Sequence, residues 1–236
     1  MPKAAKAYID GVVTAGLAIA VYAMSHWDSQ SPIRFFVFLA LFVGAALLKG
    51  RIPGITGTYS PVFFFVLLGS HLLSFSEVVF AAGLAAIVQC TLFVKRHPSP
   101  VQVAFNAANL MISSASVYGL IHRELPGLIE VPLAILLILG ATVYYLVNTA
   151  LVAIVITLVD AKPLNDVWRH WCLRSLPFYL CGALIAGVTL NSQMPLSMWV
   201  VGMVCPSILL VTHYYRYWLE SLTRVNALAL ESPYSN

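Results

Sequence analysis

From Val101 to Val159 the chain holds two long uncharged apolar runs, Val101–Ile121 and Val131–Val159, joined by the polar hairpin His122-Arg123-Glu124-Leu125-Pro126-Gly127. The first run contains Val103-Ala104-Phe105-Asn106-Ala107-Ala108-Asn109-Leu110, and the second Tyr145-Leu146-Val147-Asn148-Thr149-Ala150-Leu151. Runs of this length without charge are long enough to cross a bilayer as helices. An amide inside such a helix must find its partner in the same protein or in trapped water, because lipid supplies none. The fold therefore reads as helical and membrane-embedded, and the amides mark the places where chemistry can sit.

Composition extends this reading to the whole chain. Of 236 residues, 60% are hydrophobic and 9% charged, against about 25% charged in a typical soluble domain. So few charges cannot cover a soluble surface of this size, which points to an integral membrane protein. The 13 Lys and Arg residues are scattered at the ends of apolar runs and form no patch, so nucleic acid is not an expected partner. The cysteines Cys90, Cys172, Cys181 and Cys205 lie in or beside apolar runs with no CxxC pair, and read as small buried hydrophobes. The start, Met1-Pro2-Lys3-Ala4-Ala5-Lys6, resembles the charged part of a signal peptide. The run after it meets His26-Trp27-Asp28 instead of a small-residue cleavage site, so it reads as a retained helix.

Counting apolar runs predicts an all-α, polytopic bundle of about eight membrane helices: Tyr8–Ser25, Ile33–Leu48, Tyr59–Phe75, Val78–Val94, Val101–Ile121, Val131–Val159, Leu173–Leu190 and Leu196–Leu219. With a cytoplasmic N-terminus and eight crossings, 11 basic residues fall inside and Arg34 and Arg123 outside. That asymmetry follows the positive-inside rule and predicts both termini inside. Residues 1–220 then form one membrane domain. Residues 221–236 form a cytoplasmic tail that keeps helical spacing through Leu222, Val225 and Leu228 or Leu230.

The loops are short. Ser74-Phe75-Ser76-Glu77 leaves almost nothing between the third and fourth helices, making them antiparallel neighbours. His97-Pro98-Ser99-Pro100 stops one helix and starts the next. Gly50-Arg51-Ile52-Pro53-Gly54-Ile55-Thr56-Gly57-Thr58-Tyr59-Ser60-Pro61 reads either as a tight turn with Pro61 in the following first helical turn, or as a partly re-entrant, ligand-contacting segment.

Asn106, Asn109 and Ser113 recur at spacings of three and four and share one helix face. Asn148 has Tyr144 and Tyr145 one turn before it, and Gln89 lies in the fourth run. Packed side by side, the two runs could bring Asn106 against Asn148. The candidate ligand-binding residues are Asn106, Asn109, Ser113, Tyr144, Asn148 and Gln89. Two accounts stand: the amides join helices by hydrogen bonds, or they line a cavity for a small uncharged or amphipathic ligand. No buried run carries Lys, Arg or an Asp–His relay, which argues against a proton pump. No HExxH, GxSxG or phosphate-binding loop is present. Enzymatic activity is accordingly not expected, and no cofactor is indicated. His71 and His122 fall near one predicted face and could meet there with Glu77, Glu124 or Glu130.

The portion from about Lys49 to Leu190, especially Gly50-Arg51-Ile52-Pro53, Tyr59-Ser60-Pro61-Val62-Phe63, Val103–Leu110 and Tyr144–Ala150, resembles the N-terminal multi-helix membrane modules of bacterial cyclic-di-GMP signalling proteins. These are sensor regions placed before GGDEF or HD-GYP output domains. The resemblance implies a dimeric bacterial inner-membrane sensor with a helical linker to a cytoplasmic output domain, which would lie downstream of this tail or on a separate partner. It implies no particular binding residues. The expected function is thus a ligand-sensing module, with a small-molecule transporter as the alternative and a lipid-modifying membrane enzyme a distant third.

Overall fold

In the computed structural model, residues 1–48, 50–51, 58–92, 98–122, 132–160, 163–164, 173–191, 217–218, 220–222 and 224 are described. The elements in chain order are α1 (Lys3–Ser25), α2 (Pro32–Leu47), β1 (Gly50–Arg51), β2 (Thr58–Tyr59), α3 (Val62–Leu72), α4 (Phe75–Thr91), α5 (Pro100–Ile121), α6 (Leu133–Asp160) and α7 (Leu173–Asn191). The two strands pair antiparallel, Gly50 with Tyr59 and Arg51 with Thr58. The all-α expectation holds, with this two-residue ladder inserted between α2 and α3.

Local chemistry fixes where the helices begin. Ser31 accepts from the Arg34 N–H ahead of Pro32, whose missing amide costs nothing in a first turn. Ser74 and Ser99 each open a capping box, completed by Glu77 and Gln102 respectively. In each box the serine hydroxyl accepts from the backbone three residues on, and the longer side chain accepts from the serine N–H.

The expectation of about eight membrane helices is overturned. Among the described residues three helices are long and apolar enough to cross a membrane: α1, α5 and α6, of 23, 22 and 28 residues. The runs expected at Ile33–Leu48, Tyr59–Phe75 and Val78–Val94 fold as α2, α3 and α4, of 16, 11 and 17 residues. At about 1.5 Å rise per residue an 11-residue helix reaches roughly 16 Å, about half of a hydrocarbon core of some 30 Å. The apolar part of α7, Leu176–Asn191, is likewise short. The assignment of both termini to one side rested on eight crossings and falls with them. The eighth run lies largely outside the described residues, as do residues 52–57 and most of the 221–236 tail.

Helix α3 explains the miscount physically. Every residue from Val62 to Ser70 is buried, and α2, α4, α5, α6 and α7 all pack against it. A helix enclosed by protein on all sides needs the same apolar composition as one enclosed by lipid. Phe63 lies with its ring centroid 5.1 Å from that of Phe178 and 4.6 Å from that of Tyr179. Gly182 permits this approach, since a Cβ there would collide with the Phe63 ring. On the outer surface, by contrast, α1 exposes Leu17 and Val21, and α6 exposes Ile135 and Leu146.

Candidate ligand-binding site

The expected amide seam exists, with different pairs. Asn109 Nδ2 donates to Asn148 Oδ1 at 2.6 Å, and Asn148 Nδ2 donates to the Tyr179 hydroxyl at 3.4 Å. This chain joins α5, α6 and α7. Asn106 does not meet Asn148: its Nδ2 donates to Cys90 Sγ of α4 at 3.2 Å. Three residues on a helix leave side chains roughly 60° apart around the axis. That offset aims Asn109 at α6 and Asn106 at the end of α4.

The other candidates spread further. Ser113 is fully buried one turn beyond Asn109, and among the described residues its hydroxyl has no hydrogen-bond partner. The Asn109 side-chain Oδ1 and the Ser114 and Ser70 hydroxyls are likewise buried without a partner among those residues. Tyr144 is buried in the aromatic core, 6.1 Å from Phe63 and 5.9 Å from Tyr179 between ring centroids. Gln89 is partly buried in α4 and is not among the residues lining the cavity described next.

A cavity of about 630 Å³ opens between α1, α5 and α6 beside the end of α4. Its walls are Ile9 of α1, Phe105 of α5, and Val152, Val155 and Ile156 of α6. Cys90 and Asn106 form a polar floor, while Ser99, Gln102 and Asp160 stand at the helix ends around the mouth. Gln102 Oε1 accepts from the Ser99 N–H at 2.9 Å. Tyr8 ties α1 to α6 close by, its hydroxyl donating to the Leu151 carbonyl at 3.2 Å. A Cβ on Gly16 would collide with Ala108, so glycine there lets α1 lie directly on α5. The volume falls within the roughly 300–1,000 Å³ usual for small-molecule sites, and the lining has their usual character of apolar walls with few polar groups.

Sequence reasoning passed over Cys90, Gln102 and Asp160. The Ser99-x-x-Gln102 pattern is a legible capping signal, but its second role at a cavity mouth depends on helices far away in sequence. Cys90 looks like a small hydrophobe until Asn106 is seen to donate to it.

The opposite end of the bundle carries its own polar cluster. Glu77 is buried, accepting from the Ser29 hydroxyl at 2.6 Å and the Ser74 N–H at 2.9 Å. Ser76 donates to the His26 carbonyl at 3.0 Å. His122 stacks on Tyr118 with centroids 4.0 Å apart. His71 is within electrostatic reach of His122; burial, and then that neighbour, holds its pKa below the ordinary histidine value. Glu124 and Glu130, expected beside them, lie outside the described residues. Among the described residues no group of three or more His, Cys, Asp or Glu side chains is placed to hold a metal.

Compared with protein families, with curated proteins and with solved structures, the chain gives no match.

Proposed function

We propose that the chain is a membrane-embedded sensory module, binding a small amphipathic molecule in the cavity between α1, α5 and α6 and relaying its presence to a cytoplasmic output domain or partner. The observation that carries this reading is which helices enclose the cavity. Among the described residues they are the three helices long and apolar enough to cross a membrane, so a ligand seated there touches each of them. A change in occupancy then alters the spacing of the spans, a mechanical signal that a helical tail can carry onward. The sequence resemblance to bacterial membrane sensor regions supports a place in an inner membrane and a dimeric assembly.

The alternative, a small-molecule transporter, needs a path open alternately to both sides. Beyond Asn106 the Asn109–Asn148–Tyr179 bonds and the packed Phe63 and Tyr144 rings fill the way. That arrangement favours a one-sided pocket.

The test is native mass spectrometry on protein released from its own membrane, beside a Val155→Trp variant whose indole fills the cavity. The expected result is a small molecule carried by the natural protein and missing from the variant. Spin labels on the exposed Leu17 and Leu146 should then report a different α1–α6 distance between the two. If the natural protein carries nothing, or if the distance is the same with and without the molecule, the sensory reading fails.

A further inference from the structure

We infer that the cavity between α1, α5 and α6 continues past its floor as a narrow recess that binds water, held by Asn106, the Asn109 side-chain oxygen and the Ser113 hydroxyl along one face of α5. This deepens the ligand-binding reading of the same cavity and rests on it.

Gln102, Asn106, Asn109 and Ser113 follow one another at spacings of four, three and four, which keeps them within about 60° of each other around the helix axis. This polar ridge starts at the cavity mouth with Gln102 and reaches the floor at Asn106. Beyond the floor stand Asn109 and Ser113, 2% and 0% exposed. Neither Asn109 Oδ1 nor the Ser113 hydroxyl has a hydrogen-bond partner among the described residues. Val117, one turn further, is fully buried beside Gly140 of α6 and closes the recess.

Other hydroxyls in these helices are satisfied by their own backbone. Ser116 of α5 donates to the Ile112 carbonyl, Thr149 of α6 to that of Tyr145, and Thr189 of α7 to that of Ile185. Ser113 does not turn back in this way. A polar atom inside a membrane helix must be met by protein or by water, since lipid supplies no partner. Side chains on a helix lean toward its N-terminus, so Ser113 leans toward Asn109, and Cβ atoms four residues apart lie about 5–6 Å from each other. One water, bonding at about 2.8 Å on either side, bridges a gap of that size. Asn106 continues the run toward the cavity: it gives one N–H to Cys90 Sγ, and an amide carries a second N–H and an acceptor oxygen besides. Amides and a hydroxyl bring no charge to balance an ion, so a neutral guest fits them best.

Water in the recess changes how the cavity recognises its ligand. A polar head seated on the floor meets water that donates or accepts as the head requires. The same water touches Asn109, whose amide bonds Asn148 of α6. The head is thereby coupled to the joint between α5 and α6.

Water-edited solid-state NMR tests this on isotope-labelled protein of natural sequence in lipid bilayers, by reading how fast water magnetisation reaches each side chain. Thr189 is the dry reference, a buried hydroxyl bonded to its own helix. The expected result is transfer to Asn109 and Ser113 at least threefold faster than to Thr189. A second measurement reports on the cavity itself through Cys90, whose thiol lines the floor and is nearly buried. In a Cys172→Ser, Cys181→Ser, Cys205→Ser background held in lipid nanodiscs, alkylation of Cys90 by N-ethylmaleimide is followed by mass, and Val155→Trp should slow it at least fivefold. If Ser113 is as dry as Thr189 while Val155→Trp still slows Cys90 alkylation, the water recess is overturned and the cavity stands. If Ser113 is dry and Val155→Trp changes nothing at Cys90, the ligand-binding reading falls as well. Should the serine background fail to fold, the NMR rates of the natural protein decide the inference, since they need no substitution.

Discussion

Helices α4 and α5 start with the same device, yet the two starts have different fates. Ser74 and Glu77 cap α4, and Ser99 and Gln102 cap α5. At α4 the acidic member is buried and takes a further hydrogen bond from Ser29, which belongs to the link between α1 and α2. At α5 the amide member stays exposed and borders an open cavity. One local motif therefore serves as a seal at one end of the bundle and as a rim at the other. What decides between them is the neighbouring chain.

The largest expected effect breaks the seal. Glu77→Ala leaves the partly buried Ser29 hydroxyl and Ser74 N–H without their acceptor, at a cost of about 2–4 kcal/mol. Gln102→Ala removes one exposed capping bond and should cost no more than about 1 kcal/mol. Thermal or denaturant unfolding in detergent measures both. Equal losses would mean that the two ends are not sealed to different degrees.

Next in size is the contact that holds α1 along the cavity. Gly16→Ala drives a methyl group into the Ala108 backbone and Cβ, and overpacking of this kind costs about 1–3 kcal/mol. Gly83→Ala also collides, but with the methyl end of Met111, a flexible side chain that can turn aside. Its cost should stay below about 1 kcal/mol. Moving α1 away should also widen the cavity, so Gly16→Ala should speed Cys90 alkylation while Gly83→Ala leaves it unchanged. A Gly83→Ala loss as large as that of Gly16→Ala would contradict this account of the α1–α5 contact.

Smaller effects separate the two asparagines of α5. Asn109→Leu removes the bond to Asn148, worth about 0.6–2 kcal/mol in a membrane setting, and should leave Cys90 reactivity as it was. Asn106→Leu should change stability less and Cys90 reactivity more, since the amide bonds to a thiol. A reversal of this pattern in unfolding and alkylation data would place the ligand one helical turn deeper.

The legibility of these features in the sequence follows the range of the interactions that make them. The helical class, the face shared by Asn106, Asn109 and Ser113, and the short link from α3 to α4 are local and could be read directly. The span count could not. Val62–Ser70 is apolar because protein surrounds it, and composition does not distinguish protein from lipid as a surrounding medium. The pairing of amides failed by one turn, because facing partners depend on how α5 is rotated between α4 and α6. The Ser29–Glu77 bond joins residues 48 apart, and its sequence signal is only the capping box. Cys90 gained its place at the cavity floor from the packing of four helices, which no short pattern encodes.

The smallest effect expected is a pH dependence at the sealed end. His71 closes α3 and is exposed overall, yet the partial desolvation of its imidazole disfavours the charged form, and His122 adds to this. A histidine whose folded pKa lies below its unfolded value of about 6.5 binds fewer protons in the folded state. Its influence is therefore nil well above 6.5. As pH falls through 6.5 the unfolded chain gains protons first and stability declines, until the folded-state value is passed and the penalty levels off. Solvent screens an exposed ring, so the slope should be smaller than any effect above. Between pH 7.5 and 5.5 the unfolding temperature of the natural protein should drop more than that of His71→Gln. His122→Gln should fall between the two, because it relieves the lesser cause and leaves burial in place. Identical slopes in all three proteins would show that the sealed end senses no protons in this range, leaving the open end as the responsive one.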